Sequence, residues 1–376
     1  MSVRRGMVTV GLIVATLISQ RLAVATQPNE TESLDPFAEI EPVQLPAVAP
    51  TRQSWLKRFF SDNFGFRKEL MSEFGLTDDG SSASRQSVGF ELVKKFSSKT
   101  KTLIGIDLQG RLVRRDGFVG SLNDGEGMNR PGWFFEYHNA YVELYNLVDG
   151  VNLRIGHFYV PFGLNLSTDT HGTILQLSNE RNFGFDRDWA VGVSGSLGKA
   201  LRFDAYYLVG SGYAPEFHGQ KGLGVARISL GNRYSYEHGL EAGVSFMAGE
   251  RLAATGRMET TRGGVDVRYR HAVPTGLVTW TSEVSAGWDD SDSVFTQLHQ
   301  LDYLHASRRF GLSSQFRWFW QRGATDSSVF AEATWYLAND VAGGHLHWLK
   351  LNTEIKTQTQ HGERNVVWTL QYYRYW

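Results

Sequence analysis

Apolar and polar residues alternate along long stretches of this sequence, and the alternation limits what the chain can fold into. In FGLSSQFRWFWQR (310–322), the intervening positions include Gln315 and Arg317. The other face carries large apolar side chains, at Phe310, Leu312, Phe316, Trp318 and Trp320. Because successive side chains of a β-strand point to opposite sides, this period of two predicts a strand between an apolar environment and water.

The same pattern recurs in TLIGIDLQGRL, LRFDAYYLV, VDVRYR, TWTSEVSAGW and VFAEATWYL. Many of the predicted strands extend over about 10 to 14 residues, whereas strands of globular proteins usually have about 5 or 6. A tilted strand needs about 9 to 11 residues to cross a bilayer. The length therefore favours an all-β transmembrane antiparallel β-barrel over a soluble sandwich or propeller.

The connections between the predicted strands alternate in length. Short ones fall near 97–100, 148–150, 198–200, 273–275 and 306–309, and longer ones near 116–131, 163–187, 211–220 and 249–262. Transmembrane barrels combine short periplasmic turns with longer outer loops. The alternation is therefore a second indication of a barrel, independent of strand length.

Strand parity predicts the number of strands. From Ser87 onward the pattern gives about 15 strands, and bacterial barrels have an even number with both ends at the periplasm. The stretch NFGFRKELMSEF (63–74) alternates Phe64, Phe66, Leu70 and Phe74 with polar residues and supplies the missing first strand. The sequence therefore predicts about 16 strands.

The chain ends in VVWTLQYYRYW (366–376), an aromatic segment where soluble proteins are usually polar. One alternate set is apolar apart from Arg374, whose long side chain can extend towards lipid headgroups. Aromatic residues at a membrane interface form the girdle of a barrel. The end resembles the final strand by which the barrel-assembly machinery recognises outer-membrane proteins.

The first residues are typical of an exported protein. A cationic MSVRRG precedes an apolar run (7–19) that is too short to span a bilayer, and Ala23 and Ala25 give the spacing that a signal peptidase recognises. We therefore predict a signal peptide at 1–25, a proline-rich periplasmic linker at 26–60 and a barrel domain at 61–376. The chain has no cysteine, which excludes disulfides, zinc thiolate sites and covalent haem attachment.

The stretch HNAYVELYNLVDGVNLRIGHFYVPFGLN (138–165) resembles a hairpin of the phosphate-selective porin O/P family, in which an LRIGxFxVPFG strand precedes an infolded loop. The matching residues are Ala140, Tyr141, Leu153, Arg154, Gly156, Phe158, Pro161, Phe162 and Gly163. The stretch 180–195 resembles the return from that loop. The resemblance implies a 16-stranded porin, usually trimeric, that conducts small solutes passively.

Candidate site residues follow from this loop and from strand parity. We expect the connection at 164–188 to fold into the lumen and narrow it, so its charges would set the local field. These are Asp169, His171, Glu180, Arg181, Asp186, Arg187 and Asp188. Parity places further cations in the lumen, at Arg154, Arg227, Arg268, Arg270, Arg317 and Lys350. The alternative for each residue is a structural ion pair that keeps the lumen wet.

The sequence thus predicts a porin in the outer membrane of a Gram-negative bacterium, for small hydrophilic solutes or ions. By parity, the positively charged side chains in the lumen slightly outnumber the negatively charged ones, which indicates at most a mild preference for anionic solutes. The sequence shows no long ladder of lysine and arginine side chains of the kind expected in a phosphate channel. The expected partners are outer-membrane lipid, the solutes, the barrel-assembly machinery and two further copies in a homotrimer. A net charge of -1 gives no field for nucleic acid, and no cofactor is expected.

Two other functions fit the same exterior. A barrel sheath of a porin-cytochrome electron conduit would need a partner protein to carry the haem. An outer-membrane barrel enzyme would need a nucleophile with a base, and Ser167 and His171 are close only in sequence. His345 and His347 could bind a metal, but no third ligand is near them in sequence.

Overall fold

The computed structural model describes residues 63–98, 101–117, 132–148, 150–165, 175, 185–198, 200–212, 221–231, 239–253, 256–340, 345–358 and 363–376. The secondary-structure elements in these ranges are all β-strands. No helix that could cross a bilayer was found in the same ranges. The predicted signal peptide and linker lie outside the described residues and stay predictions.

Sixteen strands follow one another along the chain. They are β1 (Phe64–Thr77), β2 (Ser82–Ser97), β3 (Thr102–Gly117), β4 (Gly132–Val148), β5 (Val151–Tyr159), β6 (Arg187–Leu197), β7 (Leu201–Leu208), β8 (Leu223–Leu230), β9 (Gly239–Ala253), β10 (Gly256–Val273), β11 (Gly276–Asp289), β12 (Asp292–His305), β13 (Phe310–Gln321), β14 (Ala324–Asp340), β15 (His345–Gln358) and β16 (Glu363–Tyr375). The predicted number is confirmed, and β1 is the strand predicted by parity.

Each strand pairs antiparallel with its neighbours in sequence, and β1 pairs with β16 to close the sheet. At this seam the Lys68 amide donates to the Trp376 carbonyl at 2.7 Å, and the Trp376 amide donates to the Lys68 carbonyl at 3.0 Å. Closure removes the unpaired edges that an open sheet would present. Because the number of strands is even, β1 begins where β16 finishes, and we call this the terminal end and the opposite one the loop end.

The alternation in the sequence separates the two faces of the barrel. On β13, Leu312 and Phe316 are 46% and 37% exposed on the outside, whereas Gln315 and Arg317 are 2% and 8% exposed on the inside. Most of the other strands repeat this arrangement, with large apolar side chains exposed outward and polar or charged ones buried inward, although β5 to β9 and β15 to β16 also carry inward apolar side chains. The placement of apolar side chains outside and polar ones inside is the reverse of that in a soluble protein. It is the arrangement expected of a barrel with lipid around it and water in its lumen.

The last strand follows the predicted alternation. Trp368 and Leu370 are exposed outward, 41% and 54%, while Tyr373 points inward and is fully buried. Arg374 also faces outward, and its guanidinium lies 4.6 Å from the centre of the Trp376 ring. The ring therefore covers one side of the charge at the terminal end.

Connection lengths agree with the prediction in part. The longest connections, 118–131, 160–186 and 209–222, are all at the loop end, and those at the terminal end include 98–101, 149–150 and 198–200. The long connection predicted near 249–262 is wrong, because β9 continues to Ala253 and β10 begins at Gly256. These residues are polar because the hairpin extends past the apolar band, where backbone pairing needs no apolar face.

Candidate constriction of the barrel lumen

The chain leaves β5 at Tyr159 and turns inward. Pro161 has no amide hydrogen and cannot continue the strand ladder, and Gly163 has a φ of 61°, which favours glycine. The Gly163 amide donates to Ser245 Oγ on β9 at 3.0 Å. We call 159–165 the outgoing arm and 185–187 the return arm of the β5–β6 connection. The outgoing arm therefore reaches across the inner wall from β5 to β9.

The outgoing arm also meets β10 and β11. A Cβ placed on Gly264 of β10 would lie 2.9 Å from the Phe162 ring, and one on Gly163 would overlap the carboxylate of Glu283 on β11. Both contacts are close enough that only glycine fits at positions 163 and 264 without a shift. The backbone of the arm is thus held against the wall.

An apolar patch on the inner wall seats both arms. Phe158, Val160 and Phe162 pack with Phe185 of the return arm in one buried cluster. The wall contributes inward side chains of β6 to β9, namely Ala190, Tyr206, Leu208, Leu223, Val225 and Met247. An inner wall exposed to water would normally be polar. Packing of the arms removes this apolar patch from the lumen water, which stabilises the arms on the wall.

Hydrogen bonds close the connection where the two arms meet. The Val160 amide donates to the Asp186 carbonyl at 2.9 Å. The Asn165 side-chain amide donates to the Val160 carbonyl at 3.0 Å and to the Asp186 carbonyl at 2.7 Å. Asn165 is 2% exposed. Two of these bonds, both to the Asp186 carbonyl, join the outgoing arm to the return arm, and the bond to the Val160 carbonyl lies within the outgoing arm.

Asp188, at the start of β6, ties the return arm to the next connection at the loop end. Its buried carboxylate accepts hydrogen bonds from the amides of Gly210 at 2.5 Å and Gly212 at 3.0 Å. It also accepts the amide of Trp189 at 2.8 Å. The return arm and the start of the β7–β8 connection are consequently fixed together.

The predicted cations on β5, β8 and β10 lie in ion pairs on the inner wall. Arg154 donates to Glu143 at 2.8 Å, and its guanidinium lies 4.4 Å from the centre of the Tyr141 ring. Arg227 contacts Glu241 at 3.1 Å and Asp266 at 2.7 Å. Arg268 contacts the same glutamate, Glu241, on its other oxygen.

The cations on the opposite wall are also near carboxylates. Lys350 lies 3.0 Å from Glu332 and 4.9 Å from the centre of the Trp348 ring. Arg317 lies 3.9 Å from Glu354. Arg270 is half-buried near the terminal end of β10. The predicted lumen positions therefore hold cations, but most are compensated locally.

The loop charges are only partly described. Arg187 contacts Asp186 at 2.9 Å, and its guanidinium lies 3.9 Å from the centre of the Tyr159 ring. Alternation on β6 places Arg187 on the same face as Val191, which is 42% exposed outward. The other predicted loop residues lie outside the described residues, namely Asp169, His171, Glu180 and Arg181.

Two further charge clusters were not predicted. Near the loop end, Arg251 and Arg262 contact Asp289 at 3.2 and 2.8 Å. On the wall of β2 to β4, Glu136 lies 3.2 Å from Arg85 and 3.4 Å from Arg115. Parity could place these side chains inward, but the partner of each depends on strand stagger, which the sequence does not display.

The two histidines proposed as a metal pair lie on β15. His347 faces outward with its ring 5.2 Å from that of Tyr372. Among the described residues, no three histidine, aspartate or glutamate side chains come together as a metal site.

Comparisons with known proteins identify the fold. No family model and no curated relative matches the chain. The solved structure of OprB from Pseudomonas putida at high pH is similar with a TM-score of 0.63 and 9% identity, over 85% of this chain and 96% of that one. An anion-selective porin from Comamonas acidovorans gives 0.57 and 9%, over 83% and 99%.

OpdK from Pseudomonas aeruginosa, solved with vanillate, gives a TM-score of 0.50 and 9% identity, over 84% of this chain and 99% of that one. At such identities the likeness shows a shared closed β-barrel, which confirms the predicted fold class. The finer resemblance to phosphate-selective porins is not confirmed by these comparisons.

Proposed function

We propose that this protein is a porin of the Gram-negative outer membrane, through which small hydrophilic solutes diffuse passively. The observation that carries the proposal is the outgoing arm, seated inside a closed barrel whose exterior is apolar and whose lumen is polar. We infer that this arm narrows the lumen from one side and leaves a path for small solutes, as a diffusion channel requires. The similarity to solved porins supports the same function.

The selectivity we propose is weak. The resemblance of 138–165 to phosphate-selective porins and the name of the Comamonas acidovorans relative both favour anions. Local pairing of Arg154, Arg227, Arg268, Arg317 and Lys350 reduces the field that a passing anion meets. We therefore propose a mild preference for anions, with Arg181 of the β5–β6 connection as an anion contact.

The same proposal includes the remaining partners. The mature chain follows a signal peptide at 1–25 and assembles as a homotrimer. β16 presents the outward aromatic set of Trp368, Tyr372 and Trp376 to the barrel-assembly machinery. The exposed apolar exterior supports contact with outer-membrane lipid.

We expect purified folded protein to give large, steady current steps in a planar bilayer. Across a salt gradient the reversal potential should move slightly towards the anion potential. Protein-free detergent is the control, and heat-modifiable mobility on a gel shows that the protein is folded. Silence from folded protein would refute the porin, and haem protein copurifying with it would favour the cytochrome sheath.

A carboxylate beside the outgoing arm should influence selectivity. We expect Glu283→Gln to move the reversal potential towards the equilibrium potential of the anion, because Glu283 lies against Gly163 of the arm. In a water-like dielectric, one unit charge at about 8 Å is worth about 0.5 kcal/mol for each ion, with opposite sign for anions and cations, so the anion-to-cation permeability ratio should rise by up to roughly fivefold. The measurement is the reversal potential in a salt gradient.

Glu259→Gln is the matched control for this substitution. Glu259 is exposed on β10 near the loop end. Its substitution by glutamine removes the same charge at a position away from the arm. It should leave the reversal potential near that of the unmodified protein. Equal shifts in the two variants would show that total charge, rather than a charge at the arm, sets the selectivity.

A further inference from the structure

We propose that Asn165 is a positioning residue that latches the β5–β6 connection and holds the outgoing arm on the inner wall. This inference rests on the proposed porin function for its effect on current, but the latch itself can be tested without current. It concerns a polar side chain that touches no charged group of the lumen in the described contacts. Its partners are the backbone carbonyls of Val160 and Asp186.

The strand ladder explains why a side chain is needed here. The β5–β6 ladder ends at the pair Tyr159 and Arg187, and one further rung joins the Val160 amide to the Asp186 carbonyl. Pro161 follows and has no amide hydrogen with which to extend pairing. Asn165 Nδ2 donates across this point to the Asp186 carbonyl, and it also donates to the Val160 carbonyl within the outgoing arm.

Burial makes these two bonds consequential. Asn165 is 2% exposed, and Val160 beside it is fully buried, so water cannot readily replace a lost donor. Glutamine has the same donors on a longer side chain. Aspartate has the shape of asparagine but no donor, and its oxygens would face two carbonyl oxygens. The geometry therefore selects an asparagine-like amide at position 165.

Release of the latch can be measured with a single thiol. The chain has no cysteine, so Leu175→Cys introduces a unique probe in the β5–β6 connection, at a position that is 6% exposed. In this background we expect Asn165→Asp and Asn165→Ala to accelerate labelling by a water-soluble thiol reagent roughly tenfold or more. Asn165→Gln should restore part of the protection, which loss of packing alone would not produce.

Current recordings provide the second measurement. Asn165→Asp should increase open-channel noise and broaden the distribution of conductance steps. Asn352→Asp is the matched control, because Asn352 is also inward and 1% exposed but lies on β15, paired with Glu332 and Thr369. It adds the same charge to the lumen without touching either arm.

The outcomes separate the latch from the proposed function. Unchanged labelling and noise in both Asn165→Asp and Asn165→Ala would overturn the latch. Silence of the unmodified protein would overturn the porin, while the labelling rates would still decide the latch. If Asn165→Asp does not fold, Asn165→Ala and Asn165→Gln give the same comparison through labelling alone.

Discussion

Gly163→Val is expected to raise the single-channel conductance, because the outgoing arm can no longer lie against the wall. Position 163 has a φ of 61°, where a β-branched residue costs about 1 to 3 kcal/mol. Any Cβ there would also overlap the Glu283 carboxylate, and a displaced arm loses the bond to Ser245. We expect a roughly 1.5- to 3-fold larger conductance, measured in planar bilayers, as the lumen widens.

Gly198→Val is the matched control for this change. Gly198 has a φ of 74°, so valine meets comparable backbone strain, but no atom lies within 4 Å of the position of its Cβ. It follows β6 at the terminal end, away from the arm. Its conductance should equal that of the unmodified protein. If the conductance increased equally in both variants, backbone strain rather than displacement of the arm would explain it. If it increased in neither, the arm would not restrict the current.

The fold could be predicted because its main signal is local. Alternation with a period of two appears within each strand, so FGLSSQFRWFWQR alone indicates which side chains of β13 face outward. Parity then supplied β1, because a closed barrel with both termini at one end needs an even number of strands. The wrong prediction near 249–262 has the same origin, since polar residues predict a loop there, whereas the β9–β10 hairpin continues past the apolar band of the barrel.

The inner-wall patch that seats the outgoing arm has a local signal in the sequence. β8 reads LGVARISL, and Leu223 and Val225 point inward while Ile228 is exposed outward. A barrel strand with apolar residues on both faces indicates that something packs against its inner face. The sequence predicts that the connection at 164–188 enters the lumen, but it does not show that Phe162 packs against β8 and β10, about 60 and 100 residues further along the chain.

The bonds made by Asn165 and the ion pairs of the wall have no such signal. Each depends on the strand register and on small residues that leave room for a longer side chain. Arg227 of β8 reaches Asp266 of β10 over Gly243 of β9, where a Cβ would lie 2.8 Å from the guanidinium. Alternation could predict that both charges face the lumen, but not that they would meet across an intervening strand.

This pairing predicts a large loss of stability for Arg227→Met. The substitution removes both hydrogen bonds that Arg227 donates to Asp266, at 3.2 and 2.7 Å, and one to Glu241. Asp266 and Glu241 are 5% and 2% exposed. Removing one partner of a buried pair usually costs about 3 to 5 kcal/mol, because a buried charge is left uncompensated. The measurement is the free energy of unfolding by urea of the protein folded in lipid vesicles.

Arg322→Met provides the comparison, because it also removes an arginine from a carboxylate. The Arg322 side chain is 63% exposed beside Asp292, and such a surface pair is worth about 1 kcal/mol or less. Adding Asp266→Asn to Arg227→Met should recover part of the loss, since the buried carboxylate is then neutral. Equal effects of Arg227→Met and Arg322→Met would show that lumen water solvates this wall, and that its ion pairs are as weak as those at the surface.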